Sequence, residues 1–490
     1  MIQRRLMGFK GGHPALAVGA ILSLAALHNV ARAGAPAEMA KAFEPDQRLV
    51  PAIAFTPGHA PDLTLSGEMA RLHVPAVSIA VVRDGKILWA RGYGRTRLQG
   101  PPTSTDTRFQ GASLSKTITA VAVLRLVEQG KLDLDEDVNV YLKQWKLPEG
   151  PGQHVTLRQL LSHTAGLNVG GFTGYRVGDP FPTTVQVLDG APPAVNPPVR
   201  IVTPPGSAWS YSGGGYTIVQ QLLVDVTGEP FAQLMQELVL EPVGMTHSDF
   251  TQPLPPERWS SIALGYKADG APLDGGPRTY PELAAAGVWT TPSDLALFLM
   301  ELQRSAAGRG KLLTQATTRM MFTPGLGHWG LGFEVEGEGA SRRFDHVGSN
   351  EGYKTIFVGY LSQSDGAVVM ADSDNADGLR EEVLRTIAAH YGWKGYEVSV
   401  KQGRSPTNKQ LARLAGAYVT SDGRRFEVDY RQRRLLFRFG AAPAEALHPT
   451  SANTFFEGTG DVKLEWRGAK GGAGAITSFW TTSQFTRVRP

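Results

Sequence analysis

The 490-residue sequence contains no cysteine. Disulfide cross-links, thiol nucleophiles and thiolate-bound metals are therefore excluded, and the core alone must hold the fold. No long low-complexity tract interrupts the chain, and its aromatic residues are spread throughout, so extended disorder is not expected. The 11 histidines show no metal-ligand spacing, and neither a metal nor a cofactor is expected. A genuine charge bias is missing as well. The formal net charge is +4, but removing Arg4, Arg5, Lys10 and Arg32 from the 49 basic residues leaves 45 against 45 acidic ones. The basic balance thus belongs to the first 33 residues, and nucleic acid is not an implied partner.

Those first residues form a unit of their own. Arg4, Arg5 and Lys10 precede an apolar run from Ala15 to Leu27, followed by Ala31-Arg32-Ala33. A basic start, a short apolar middle and a small-x-small site read as a secretory signal over 1–33, cleaved after Ala33. The expected location is periplasmic or secreted. The run is too short for a comfortable membrane span, so none is expected in the mature chain.

The whole sequence is 42% hydrophobic and 19% charged, enough for an enzyme body of about 300 residues or more with a small addition. Residues 34–64, rich in Ala and Pro, read as a leader. Residues 65–400 read as one domain and residues 405–490 as another. Ala76–Val82 and Lys86–Gly94 flank Arg83-Asp84-Gly85, a hairpin signal, and the first run is apolar enough to be buried on both faces. Residues 131–250 are mostly helical with long loops. Thr291-Pro292-Ser293-Asp294 announces a further helix to about Gln303. Strand signals return over 329–335, 343–347, 355–360 and 367–371, before a helix from Leu379 to Tyr391. Strands bracketing a helical middle give an α+β class: an antiparallel sheet flanked by helices, with a helical subdomain. Beyond Pro406, the alternation at Phe426, Val428 and Tyr430 and at Leu435, Phe437 and Phe439 continues through Leu464, Trp466, Phe479 and Trp480. This predicts a small all-β, barrel-like domain.

The chain is organised around Gly111-Ala112-Ser113-Leu114-Ser115-Lys116. Leu114, Ile118, Val121, Leu124 and Val127 recur at helical steps, predicting a helix with one buried face that ends near Gly130. Ser113 then stands at the helix N-terminus beside free backbone N–H groups, which an oxyanion requires. Lys116, three residues on, shares its face, whereas Ser115 points elsewhere. Alone, this tetrad reads more readily as an N-cap serine with a solvated lysine. Two further motifs follow in order: Tyr211-Ser212-Gly213 in a Gly-rich stretch, and His346-Val347-Gly348 on a predicted strand that runs into Ser349. Tyr211 also reads as a core tyrosine, and His346 as a satisfied strand histidine. His163 reads as structural, and Gly213 to Gly215 as a place of close backbone approach.

The motif order, together with Leu160–Leu167, Val243-Gly244-Met245 and Ala285–Thr291, resembles the serine β-lactamase and penicillin-binding-protein-like hydrolases over about residues 65–395. The branch is that of class C β-lactamases, DD-peptidases, D-aminopeptidases and related esterases. The C-terminal piece resembles the lipocalin-like appendages of some members. The resemblance implies that Ser113 is a nucleophile forming an acyl-enzyme, with Lys116 and Tyr211 supplying its base. A phenol beside an ammonium is expected to titrate low. Backbone N–H groups of Ser113 and Ser349 would hold the oxyanion, with His346, Gly348 and Gly213 facing the substrate. A small-molecule ester or peptide is the implied partner. The sequence departs from the family twice. Gly213 stands where many relatives have the Asn of Tyr-x-Asn, and His346-Val347-Gly348 replaces Lys-Thr-Gly. Without that lysine's permanent charge, weak β-lactamase and carboxypeptidase activity is expected, with better turnover of esters or of peptides such as D-amino-acid peptides. A receptor or scaffold that no longer turns over is the alternative from another class.

Overall fold

The computed structural model describes residues 42–488 apart from 45, 57–62, 149, 151–153, 458–461, 468–471 and 479–480. The export signal and the Phe479-Trp480 pair lie outside the described residues. Ten strands build the body: β1 (Ile53–Thr56), β2 (Ala76–Arg83), β3 (Lys86–Gly94), β4 (Phe109–Gln110), β5 (Trp289–Thr290), β6 (Glu334–Glu336), β7 (Arg343–Asn350), β8 (Tyr353–Tyr360), β9 (Gly366–Ala371) and β10 (Ser399–Gln402). The main sheet runs β3-β2-β9-β8-β7-β6, with every neighbouring pair antiparallel. The predicted hairpin closes β2 onto β3 through Asp84 and Gly85, both at positive φ.

Alternation along β8 decides which helix covers which face. Phe357 meets Phe298 of the Pro292–Ala306 helix, with ring centroids 6.5 Å apart, whereas Lys354 meets Asp377 of the Asp377–Tyr391 helix at 3.8 Å. The two helices therefore cover opposite faces. Thr291 caps the first of them, accepting from the Asp294 N–H at 3.2 Å.

The Leu114–Glu128 helix departs from the one-faced expectation. It is buried all round from Leu114 to Leu124, because the small residues Thr117, Thr119, Ala120 and Ala122 let neighbouring chains close over every side. The leader is also more than a leader: β1 pairs in parallel with β10, and Phe43, Leu49 and Ile53 are buried. The predicted strand over 329–335 is shortened to Glu334–Glu336. Gly330 N–H closes a turn onto Phe333 O at 2.8 Å, and Gly332 stands at φ +89°. A Cβ on Gly332 would lie 2.5 Å from Ala120 Cβ, so only glycine lets this turn press against the Leu114–Glu128 helix.

Eight sequential strands between Gly416 and Arg487 close into the expected barrel. Its interior is filled by side chains, among them Tyr418, Phe426, Phe437, Phe455, Trp466 and Phe485.

Candidate active site

The short β4–β5 ladder delivers the chain to Ser113. Gly111 N–H bonds Val288 O at 2.8 Å, and Ala112 takes φ +50°, a strained conformation for a residue with a Cβ. That turn leaves Ser113 as the residue before the helix, with no side-chain capping bond to occupy its hydroxyl. Ser115 holds the turn from beneath: its hydroxyl donates to Ala112 O at 2.6 Å and accepts from Val288 N–H at 3.0 Å. The sequence reading placed Ser115 away from Lys116 and missed this support.

Lys116 is 2% exposed, and its Nζ lies 3.0 Å from Ser113 Oγ. It donates to Ala285 O at 2.7 Å and stands 5.0 Å from the centre of the Tyr211 ring. No carboxylate bonds it among the described residues, and burial drives its pKa down to about 7. Tyr211 behaves opposite to expectation. Burial raises its phenol well above the usual value, and the neighbouring Ser113 hydroxyl only partly opposes this. The expected lowering requires a charged lysine, and burial withdraws that charge.

Tyr211 is placed by His163 and Ser212. The His163 Nδ1 accepts from Ser212 N–H at 3.1 Å, its backbone carbonyl accepts from Ser210 N–H at 2.8 Å, and its ring lies 4.3 Å from that of Tyr211. The structural role expected for His163 is what the geometry shows. Ser212 caps the following helix, accepting from Gly215 N–H at 3.0 Å, which draws all three glycines into its first turn. A Cβ on Gly213 would lie 2.9 Å from the Phe172 ring. An asparagine side chain has no room there, and an aromatic wall stands in its place.

On the opposite side runs β7. The Leu361 N–H to Arg342 O bond fixes the alternation: even-numbered β7 residues bond β8, whereas Val347 and Ser349 turn their N–H and C=O groups away from it. β6 pairs with β7 only as far as Asp345, so these groups line an open edge facing Ser113. The Ser113 N–H likewise has no acceptor among the described residues. Gly348 is required at the crossing, since a Cβ would stand 2.2 Å from Thr355 Oγ1 and 2.4 Å from Gly111 O. Asn350, which sequence reasoning passed over, ties this edge to the turn before Ser113 by donating to Gln110 Oε1 at 2.7 Å and Ala286 O at 3.2 Å.

His346 is buried, and its Nδ1–H donates to Val347 O at 2.6 Å. Burial, with Lys116 nearby, pushes its pKa down to about 3. The bond to Val347 fixes the tautomer and leaves Nε2 as a bare acceptor without a partner among the described residues. Lys354, another residue not singled out from sequence, donates to Ser349 Oγ at 2.6 Å and is flanked by Asp374 at 3.9 Å and Asp377 at 3.8 Å. Ser113, Lys116, Tyr211, Gly213, His346 and Ser349 share one cavity of about 580 Å³. A larger hollow of about 720 Å³, beside the Leu65–Arg71 helix, is separate from it.

A serine at a helix start, a buried lysine and a tyrosine meeting at an open sheet edge, in an α+β body of this topology, define the β-lactamase and penicillin-binding fold class. The chain belongs to the Beta-lactamase family, whose sequence model matches residues 62–391. It is 30% identical over 264 residues to a putative penicillin-binding protein, PbpX, of Bacillus subtilis (strain 168), a match covering 52% of this chain and 61% of that protein's length. Among solved structures, the octameric penicillin-binding protein homologue from Pyrococcus abyssi is similar at a TM-score of 0.60 and 21% identity, covering 86% of this chain and 98% of that one. The D-amino acid amidase from Ochrobactrum anthropi SV3 is similar at 0.55 and 23%, covering 67% of this chain and 96% of that one. These two likenesses are of fold.

Proposed function

We infer that the protein is a serine hydrolase that cleaves esters or amides through an acyl-enzyme on Ser113, with Lys116 as the base. One observation carries this reading: a lysine amine 3.0 Å from the serine hydroxyl with its pKa brought down to about 7. At neutral pH a large fraction of Lys116 is unprotonated and able to take the Ser113 proton as the Oγ–carbon bond forms. The Ser113 and Ser349 N–H groups receive the oxyanion. Tyr211, kept protonated, has a proton to pass to the leaving group as the scissile bond breaks, and Lys116 reprotonates it. Water then attacks the acyl ester, with Lys116 again as base.

His346 sets the substrate class. A neutral ring brings no positive charge to meet a carboxylate, and the charge of Lys354 is matched by two aspartates. Esters and amides without a carboxylate beside the scissile bond suit this cavity better than penicillins or D-Ala-terminated peptides. The amidase among the fold relatives agrees with amide cleavage. The test is intact mass after brief exposure to a fluorophosphonate and, separately, to an activated acetyl ester. A single adduct that vanishes in Ser113→Ala is expected. No adduct in either protein refutes the reading and leaves a non-catalytic receptor or scaffold in the lead.

A further inference from the structure

The peptide that carries the Ser349 N–H is held from behind. Its two polar groups point opposite ways: the N–H faces the cavity at the open edge of β7, and the carbonyl, that of Gly348, lies in the ladder with Thr355 of β8. Arg380, 4% exposed on the Asp377–Tyr391 helix, reaches the same carbonyl from the sheet face that this helix covers. Its Nη1 donates to Gly348 O and to Thr355 O, both at 3.1 Å. Gly348 O therefore accepts twice, from the Thr355 N–H of the ladder and from a guanidinium.

A tie between helix and sheet would account for a buried arginine, but the placement of its charges goes further. Nη2 pairs with Asp377 at 2.9 Å and Nε stands 3.8 Å from Glu381, which leaves Nη1 to the two carbonyls. The Asp377 side chain is 36% exposed against 5% for that of Arg380, so water screens the aspartate more than it screens the guanidinium at the buried carbonyl. Lys354 works on the same residue from the same side of the sheet, donating to Ser349 Oγ at 2.6 Å. Asp377 joins the two cations, lying 3.8 Å from Lys354 Nζ. Both branches of this network end on Ser349, one through its side chain and one through the carbonyl of the residue before it.

Hydrogen bonds in series strengthen one another, and the charge-assisted ones are the strong ones. A charged donor on a peptide carbonyl favours the resonance form with positive charge on nitrogen, which makes the N–H of that peptide a better donor. We propose that Arg380 is a positioning residue of the oxyanion site, aiming and polarising the Gly348–Ser349 peptide so that the Ser349 N–H meets the growing oxyanion with a guanidinium behind it. Arg380 touches no substrate and acts only through that peptide. For its effect on turnover this rests on the hydrolase reading; for the state of the peptide it does not.

The peptide can be observed directly, because the sequence has only two Gly-Ser steps, Gly206-Ser207 and Gly348-Ser349. Cell-free protein carrying carbonyl carbon-13 glycine and nitrogen-15 serine gives one carbonyl–amide correlation signal for each, and the Gly206 signal is the internal control. In Arg380→Gln the Gly348 carbonyl carbon and the Ser349 nitrogen are expected to move upfield as the charged donor is lost, while the control stays. For a neutral p-nitrophenyl ester, kcat is expected to fall about tenfold with KM nearly unchanged, a part of the roughly 100- to 1,000-fold that loss of a whole oxyanion donor costs. Arg380→Lys keeps the cation as a point donor without the fork, and should lie between the two in both signal and rate. Thermal unfolding checks each variant, and if the glutamine variant does not fold the lysine variant carries the same comparison. A Gly348 signal that moves together with kcat upholds the proposal. A fall in kcat with that signal in place reduces Arg380 to a helix-to-sheet tie and overturns it, as does a displaced signal with kcat unchanged. If wild-type Ser113 takes up no fluorophosphonate, the hydrolase reading fails by itself; a moving Gly348 signal then still upholds the polarised peptide, and a fixed one overturns it.

Discussion

Replacing Lys116 by methionine is expected to abolish acylation and to stabilise the protein, and the stabilisation should depend on pH in a specified direction. In the folded state the lysine falls from 10.5 to about 7, with burial as the cause. At about 1.4 kcal/mol per tenfold change in proton affinity, carrying the ammonium in the fold costs about 5 kcal/mol. The sign follows from linkage. Between about 7 and 10.5 the unfolded chain binds the proton and the folded chain does not, so this contribution to stability rises with pH across that window. Below about 7 the full penalty applies. Methionine keeps the buried stem but leaves Ala285 O without its donor, which costs about 1–3 kcal/mol. The variant should therefore be about 2–4 kcal/mol more stable than wild type near pH 6, with the two converging near pH 9. Denaturant titration of both proteins at the two pH values measures this, and the difference cancels titrations elsewhere, such as that of Glu282. A difference that stays flat with pH, or a variant less stable near pH 6, would refute the claim that Lys116 is held in the fold as a strained, neutral-leaning amine.

The same proton sets the rate. For a neutral ester, kcat/KM should climb with pH through an apparent pKa of about 7 and carry no inflection from His346, whose proton is gone above about 3; an acid limb that persists near 7 after Lys116→Met would contradict the assignment. His346→Lys should raise acylation by a penicillin about 10–100-fold, the worth of one charge-assisted hydrogen bond to a carboxylate, as followed by intact mass against time. An unchanged rate would mean that His346 does not face the substrate's carboxylate position. Gly348→Ala forces a Cβ against Gly111 O and Thr355 Oγ1, moving the Ser349 N–H relative to Ser113. A loss on the order of 100-fold in kcat is expected, and full activity would remove Ser349 from the oxyanion site.

Local spacing made some of this site legible and could not reach the rest. Ser113 and Lys116 lie three residues apart on one helix, so their meeting follows from helical geometry. Tyr211 and His346 come from segments far apart in the chain, and only the resemblance joined them. The fall of Lys116 on burial was expected, but the phenol was misread for a physical reason: its expected fall assumed a charged Lys116, and the depth of burial that neutralises the lysine is a tertiary property. The true start of β6 was hidden inside a run read as one strand from 329. The Gly330–Phe333 turn, which ends the cavity wall and begins β6 at Glu334, depends on a close approach to Ala120 that no periodicity encodes. The pairing of β1 with β10 was invisible likewise, because two four-residue strands at opposite ends of the domain carry too little pattern to be matched.

The family's usual lysine is absent from β7, and the protonation states explain why the cavity still makes a coherent catalyst. Burial pushes Lys116 and His346 toward their neutral forms, and it holds Tyr211 in its own. The resting cavity therefore carries little charge, and its fixed dipoles are the N–H groups on the open edge of β7 and at the start of the Leu114–Glu128 helix. In the proposed mechanism negative charge appears only as the substrate carbonyl becomes an oxyanion, and at that moment Lys116 becomes an ammonium 3.0 Å from Ser113 Oγ. Charge separation inside a cavity of low polarity is costly unless both new charges are met, one by the edge amides and the other by Ala285 O and the faces of Tyr211 and Tyr216. A permanent cation at position 346 would stabilise an anionic ground state and push Lys116 further toward its neutral form. It would also oppose the positive charge that Lys116 must acquire. A neutral acceptor there avoids that conflict, at the expense of the carboxylate-bearing substrates that such a cation would recruit.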